Sequence, residues 1–186
     1  MSETMKTNWL LLSYKIPPEP AKARVAVWRK IKACGAVYLQ NSVCVIPNTS
    51  EHQRILRLLQ NDIITNAGEA FVLEAAGLDD HQDNLLTQRF NQDRDEEYEE
   101  FLDKCNDFEK EIEKETANEH FTYAELQENE EDLKKLKNWL DKIRKLDFCN
   151  APKGEEAAQR LVKCEHMLDD YANTVFQKET SKLSGS

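Results

Sequence analysis

Trp9-Leu10-Leu11-Leu12-Ser13-Tyr14 is a short apolar run that stops at Pro17, Pro18 and Pro20. A run of this length, ended by residues with no main-chain N–H, reads as a buried strand rather than a helix. Pro20 suits the first turn of the helix that follows. In that helix Val25, Trp28 and Ile31 recur at spacings of three, which predicts one inward face with Trp28 in the core. On that reading Trp28→Ala costs about 3–5 kcal/mol. Gly35 ends the helix in a left-handed conformation. Ala36–Gln40 and Ser42–Pro47 then flank Asn41 as a hairpin. Ser50 and Gln53 form a capping box ahead of Ile55, Leu58, Leu59 and Ile63, the stripe of a second helix. Gly68 ends it, and Glu69–Ala76 is the fourth strand. The order βαββαβ predicts an α+β, ferredoxin-like domain over residues 8–77: a four-stranded antiparallel sheet with both helices on one face.

Outside this segment the composition changes. Residues 1–77 hold nine basic and six acidic groups, a net of +3, while residues 78–186 hold 16 basic and 29 acidic groups, a net of −13. Two structural units are therefore expected to meet near Gly77. The second, residues 79–180, is predicted to be an antiparallel, coiled-coil-like bundle of long helices. Tyr98, Phe101, Cys105, Phe108 and Ile112 follow 3-4-3-4 spacing. Thr122 and Glu125 cap the next helix, whose stripe is Leu126, Leu133, Leu136, Leu140 and Ile143. Asn150 and Pro152 restart the pattern for Ala157, Leu161, Cys164, Leu168, Tyr171 and Val175. Ser181–Ser186 reads as a frayed tail.

The whole chain has 186 residues and a formal net charge of −10. With five glycines and five prolines it is too poor in turn residues for long disordered linkers. The apolar stretch near the amino terminus is too short for a secretory signal or a membrane span, so no membrane association and a cytoplasmic location are expected. Cys34, Cys44, Cys105, Cys149 and Cys164 form no CxxC pair and are expected as reduced thiols.

Known catalytic patterns are absent. The glycines are too scattered for a phosphate-binding loop, and neither GxSxG nor HExxH occurs. His52, His81, His120 and His166 lack the Glu three residues earlier that a di-iron bundle needs. Ferredoxin-like nucleases associated with CRISPR carry a metal-binding Asp at the end of the first strand, where this chain has Ser13-Tyr14-Lys15. No RNP-type basic and aromatic motif lies on the sheet. The chain is thus expected to be no enzyme, with no catalytic residue, metal site or cofactor. The acidic run Asp95–Glu100 reads as a solvated helix face. One constellation remains. Lys22, Arg24, Arg29, Lys30 and Lys32 concentrate positive charge on the first helix of an otherwise acidic protein. Lys22 and Arg29, seven residues apart, share a face that Lys30 widens; these three are candidates to receive an oxyanion or a nucleic-acid phosphate, with Arg24 and Lys32 near enough to contribute to the field.

Several ordered segments also match a known family. They are Trp9–Pro17, Val27-Trp28-Arg29-Lys30, Gly35–Gln40, Val43–Pro47, Gly68-Glu69-Ala70 and Arg89-Phe90-Asn91. Together they resemble the amino-terminal domain of the ChrB family of chromate-resistance proteins. More distantly, Trp28 to Pro47 is similar to the ferredoxin-like domain of the phenylacetate-responsive PaaX repressors. The resemblance implies a bacterial cytoplasmic protein tied to the chromate response, a regulator or sensor acting in transcriptional control through operator DNA or a partner protein. Its effector would be chromate or another oxyanion. The alternative is a non-catalytic, dimerising interaction module with a helical adaptor. Either way the open face and edges of the sheet predict a homodimer.

Overall fold

A computed structural model describes residues 9–185; residue 8, the expected start of the first domain, and Ser186 lie outside them. The elements are β1 (Trp9–Lys15), α1 (Ala21–Ala33), β2 (Val37–Gln40), β3 (Val43–Pro47), α2 (Ser50–Thr65), β4 (Glu69–Ala75), α3 (Asp80–Ala117), α4 (Tyr123–Leu146) and α5 (Gly154–Ser184). The sheet has the order β2-β3-β1-β4 with every neighbour antiparallel, which is the expected ferredoxin-like topology. The strand ends move by one residue at most. The hairpin turn takes Asn41 and Ser42, with Ser42 at a positive φ of 65°, so β3 starts at Val43.

The chain forms two compact units, residues up to Phe90 and residues from Asn91 onward. The first turns of α3 therefore belong with the sheet, past the compositional break near Gly77. The reason lies in local bonding. Asp83 Oδ1 accepts from the Gly77 N–H at 2.8 Å and from Trp9 Nε1 at 3.0 Å. Trp9 stacks on Phe90 with ring centroids 5.2 Å apart, and both are buried. A Cβ on Gly77 would lie 2.5 Å from that carboxylate oxygen, so the turn into α3 admits only glycine.

Side chains alternate between the two sheet faces. Leu10, Leu12, Cys44 and Ile46 share one face and are fully buried. On the helices the buried side chains are Val27 and Ile31 of α1 and Leu56, Leu59 and Ile63 of α2, and α2 packs on α1, β1 and β4. The opposite face is covered unevenly. One row across it runs Val37, Val45, Leu11, Leu73. Val37 and Val45 are 1% and 2% exposed, while Leu73 and its neighbour Phe71 are both 54% exposed.

Two helix faces are rotated from their expected positions. Trp28 is not in the core: it is 50% exposed and Val25 is 41% exposed, whereas Val27 and Ile31 are buried. Val25-Ala26-Val27-Trp28 is apolar throughout, so spacings of three and of four both produce an apolar stripe. The sheet accepts the stripe of Val27 and Ile31. In α2 the buried set is His52, Leu56, Leu59 and Ile63, and Leu58 is exposed. His52 is admitted to this face because its Nδ1 pairs with the Pro47 carbonyl oxygen at 2.8 Å. The cap is also one residue earlier than expected. Thr49 Oγ1 accepts from the His52 N–H at 3.1 Å, and Gln53 donates to Asn48 rather than closing a box with Ser50.

In the second unit α3, α4 and α5 share one core. It contains Tyr98, Phe101, Cys105, Phe108 and Ile112, with Leu133, Leu136, Leu140 and Ile143, and with Ala157, Cys164, Leu168, Tyr171 and Val175. These are the expected stripes, with Leu126 and Leu161 packed at the margin. Thr122 caps α4 by accepting from the Glu125 N–H at 3.2 Å. Cys105 lies beside Cys164 while His120 receives a bond from Tyr171, so α3 and α5 run the same way. Phe101 meets Trp139 and Tyr98 bonds Asp147, so α4 returns antiparallel to both. The last helix continues to Ser184, through most of the expected tail.

Three charged side chains among the described residues of this unit are buried, Arg94, Glu109 and Glu115, and Glu109 gathers two cations. Glu109 is 6% exposed and accepts from Arg160 Nε at 2.5 Å and Lys163 Nζ at 2.6 Å. Burial pushes its carboxyl up, but the hydrogen bonds from Arg160 and Lys163 outweigh it and hold the pKa below the usual 4.5. All five cysteines are free thiols.

Candidate anion-binding surface on the ferredoxin-like unit

The five basic residues of α1 are all exposed, yet they do not form one face. Successive residues turn by about 100°. Lys22 and Arg29 consequently point opposite the buried Val27–Ile31 stripe, toward solvent. Lys30 lies on the flank nearest α2 and donates to Asp62 Oδ2 at 2.5 Å, which cancels its charge locally. Arg24 and Lys32 lie on the other flank, four residues to either side of Trp28. Lys22, Arg24, Arg29 and Lys32 have no carboxylate partner among the described residues.

Trp28 opens onto a cleft of about 500 Å³ lined also by Tyr14, Tyr38, Leu39, Gln40, Asn41, Ser42 and Arg89. None of these carries negative charge. Tyr14 and Tyr38 reach across the end of β3 to share a 2.8 Å hydroxyl–hydroxyl hydrogen bond. Burial and that bond push the Tyr38 hydroxyl well above its ordinary pKa, so it stays protonated. Arg89, from the first turns of α3, donates through Nη2 to the Tyr38 carbonyl at 3.0 Å. This anchors a guanidinium whose other N–H groups are not engaged by a carboxylate among the described residues. The cleft thus brings one fixed cation together with hydroxyl and amide donors, and its lining holds no carboxylate.

The residues of this cleft come from β1, α1, the β2–β3 hairpin and α3. No spacing in the sequence joins them. The available signal was that Tyr14, Trp28, Tyr38 and Arg89 each lie in a segment that bears the family resemblance. Among the described residues, no group of three or more His, Cys, Asp or Glu side chains is gathered as metal ligands would be. No helix there is long and apolar enough to cross a membrane.

Comparison with known proteins identifies the family. The family described as "Protein ChrB, N-terminal" matches residues 24–182, from α1 almost to the end of α5. Protein ChrB of Cupriavidus metallidurans is 29% identical over 143 residues, which is 77% of this chain and 41% of the relative. The chain thus spans about two fifths of that relative's length. The match takes in the ferredoxin-like unit from α1 onward and the helices that follow it, and on that basis the chain belongs to the ChrB amino-terminal family.

Proposed function

We propose that this protein is a cytoplasmic regulator or sensor in chromate resistance that binds DNA and an oxyanion and catalyses no reaction. The observation that carries the reading is the set of unpaired cations, Lys22, Arg24, Arg29 and Lys32, on one exposed helix of a protein with a net charge of −10. A polyanion is repelled by most of such a surface and attracted at α1. The effector, chromate or another oxyanion, is assigned to the adjacent cleft, where Arg89 and the Tyr14–Tyr38 pair supply charge-assisted and neutral donors. The second reading is a dimerising interaction module with a helical adaptor, supported by the exposed Phe71 and Leu73 on the sheet. Both readings take the protein as a homodimer.

Binding of operator DNA at two salt concentrations, with and without chromate, separates the two. Under the first reading affinity falls steeply with salt, with a log–log slope of about −0.9 per neutralised phosphate. Lys22→Ala with Arg29→Ala weakens binding to all sequences and flattens that slope, while the fold is unchanged because both side chains face solvent. Arg89→Ala removes the response to chromate and leaves DNA affinity in its absence near wild type. DNA binding of wild-type strength and slope in the Lys22/Arg29 variant would refute α1 as the contact. No operator binding by the wild-type protein would leave the interaction module.

A further inference from the structure

We propose that two copies of this chain pair antiparallel along β4, with Val72 facing Val72 of the second copy. This rests on the homodimer reading above and adds the surface and register. β4 is an edge of the sheet, and natural edges are usually guarded by an inward charge, a proline or a covering segment. From Ala70 to Leu73 the strand reads Ala-Phe-Val-Leu, without charge or proline. The sheet face above it is open, since exposure in its row rises from 2% at Val45 to 54% at Leu73.

The direction of the free main-chain groups is known from two hydrogen bonds. Tyr14 donates its N–H to Ser42, on the β3 side of β1. The alternation along an antiparallel strand then turns Leu11 and Ser13 toward β4, where they pair with Leu73 and Phe71. Ala70, Val72 and Glu74 consequently direct their N–H and C=O groups outward. The Ala70 carbonyl accepts from the Gln60 side chain at 2.9 Å, as an outward carbonyl would. A second β4 centred on Val72 can exchange both bonds of the Val72 pair. It can also join each Ala70 N–H to the opposite Glu74 carbonyl, leaving the carbonyl held by Gln60 undisturbed.

The side chains favour this register. Antiparallel pairing about Val72 sets Phe71 against Leu73 of the second copy, Ala70 against Glu74, and Glu69 against Ala75. No glutamate faces a glutamate, and the two half-exposed apolar side chains cover each other twice by symmetry. The strand is self-complementary, which fits a second copy better than an unrelated strand.

The experiment is light scattering and sedimentation of the full chain across a dilution series, for wild type, Phe71→Lys, Leu73→Glu and the double variant. Circular dichroism checks that each is folded, and Phe71→Ser and Leu73→Ser serve as milder replacements if one is not. Each single change is expected to raise the dimer dissociation constant about tenfold or more. In the double variant the ammonium introduced at Phe71 faces the carboxylate introduced at Leu73 in both symmetric pairs, and most of the loss is expected to be recovered. A wild-type protein that is monomeric throughout overturns the homodimer reading and this interface with it. A dimer insensitive to both single changes leaves the homodimer standing and overturns this interface. Weakening without recovery in the double variant overturns the register.

Discussion

Trp9→Ala is expected to lower the free energy of unfolding of the first unit by about 3–5 kcal/mol, and Trp28→Ala by about 1 kcal/mol or less. Trp9 is 1% exposed, stacks on Phe90 and donates to Asp83, so its removal leaves a cavity between the sheet and α3 and takes away a bond at the Gly77 turn. Trp28 is half-exposed on the rim of a cleft, and water can occupy its place. Denaturant midpoints for the two variants give the comparison directly. Equal losses, or the larger loss in Trp28→Ala, would mean that α1 is rotated from the orientation described, with the Val25–Trp28–Ile31 stripe facing the sheet.

Arg160→Met is expected to cost about 1–3 kcal/mol near neutral pH, and markedly less in acid. Arg160 supplies the short bond to the interior carboxylate of Glu109, and without it that charge keeps Lys163 as its one cation beside a weak 3.9 Å bond from Cys164 Sγ. The folded pKa of Glu109 is depressed below the unfolded value, taken as 4.5. A depressed carboxylate contributes stability that is fully present above the unfolded pKa and is lost as pH falls through the folded one. Removing Arg160 removes part of that contribution, so the gap between wild type and variant should narrow as pH drops below about 4.5 and Glu109 becomes neutral in both. Urea unfolding at neutral and acid pH measures the gap. A gap that does not change with pH would assign the loss to packing of the Arg160 stem instead of to its charge.

The order of elements was readable from local chemistry because it depends on neighbours in the chain. Prolines after β1, Gly35 at a φ of 81°, Gly68 after α2 and Thr122 at the start of α4 each act within a turn or two of their own position. The stripes of the three long helices were readable for a related reason. Polar residues separate their apolar positions, so only one face of each can be buried, and Phe101, Leu140 and Cys164 lie where that periodicity places them. Helices α1 and α2 lack that separation. Consecutive apolar residues in α1, and the flanking Ile55 and Leu58 in α2, allow more than one inward face. The choice depends on which side chains fit Leu10, Leu12 and Ile46 on the sheet.

The same distinction applies to function. That α1 is basic was plain from its residues, but charge is a sum over the chain, whereas a site requires directions. Lys30 is turned to Asp62, Arg24 and Lys32 to the flank of Trp28, and only Lys22 and Arg29 point straight away from the core. The cleft joins Tyr14, Trp28, Tyr38 and Arg89 from separate elements, and the Glu109 network joins residues about fifty positions apart. Such groupings arise when packing brings distant segments within hydrogen-bond range. Propensity, capping and periodicity act over a few residues and carry no record of them. They specified the strands and helices of this protein; the rotation of each helix on the sheet, and the partners each charge acquired, followed from which side chains could share the same interior.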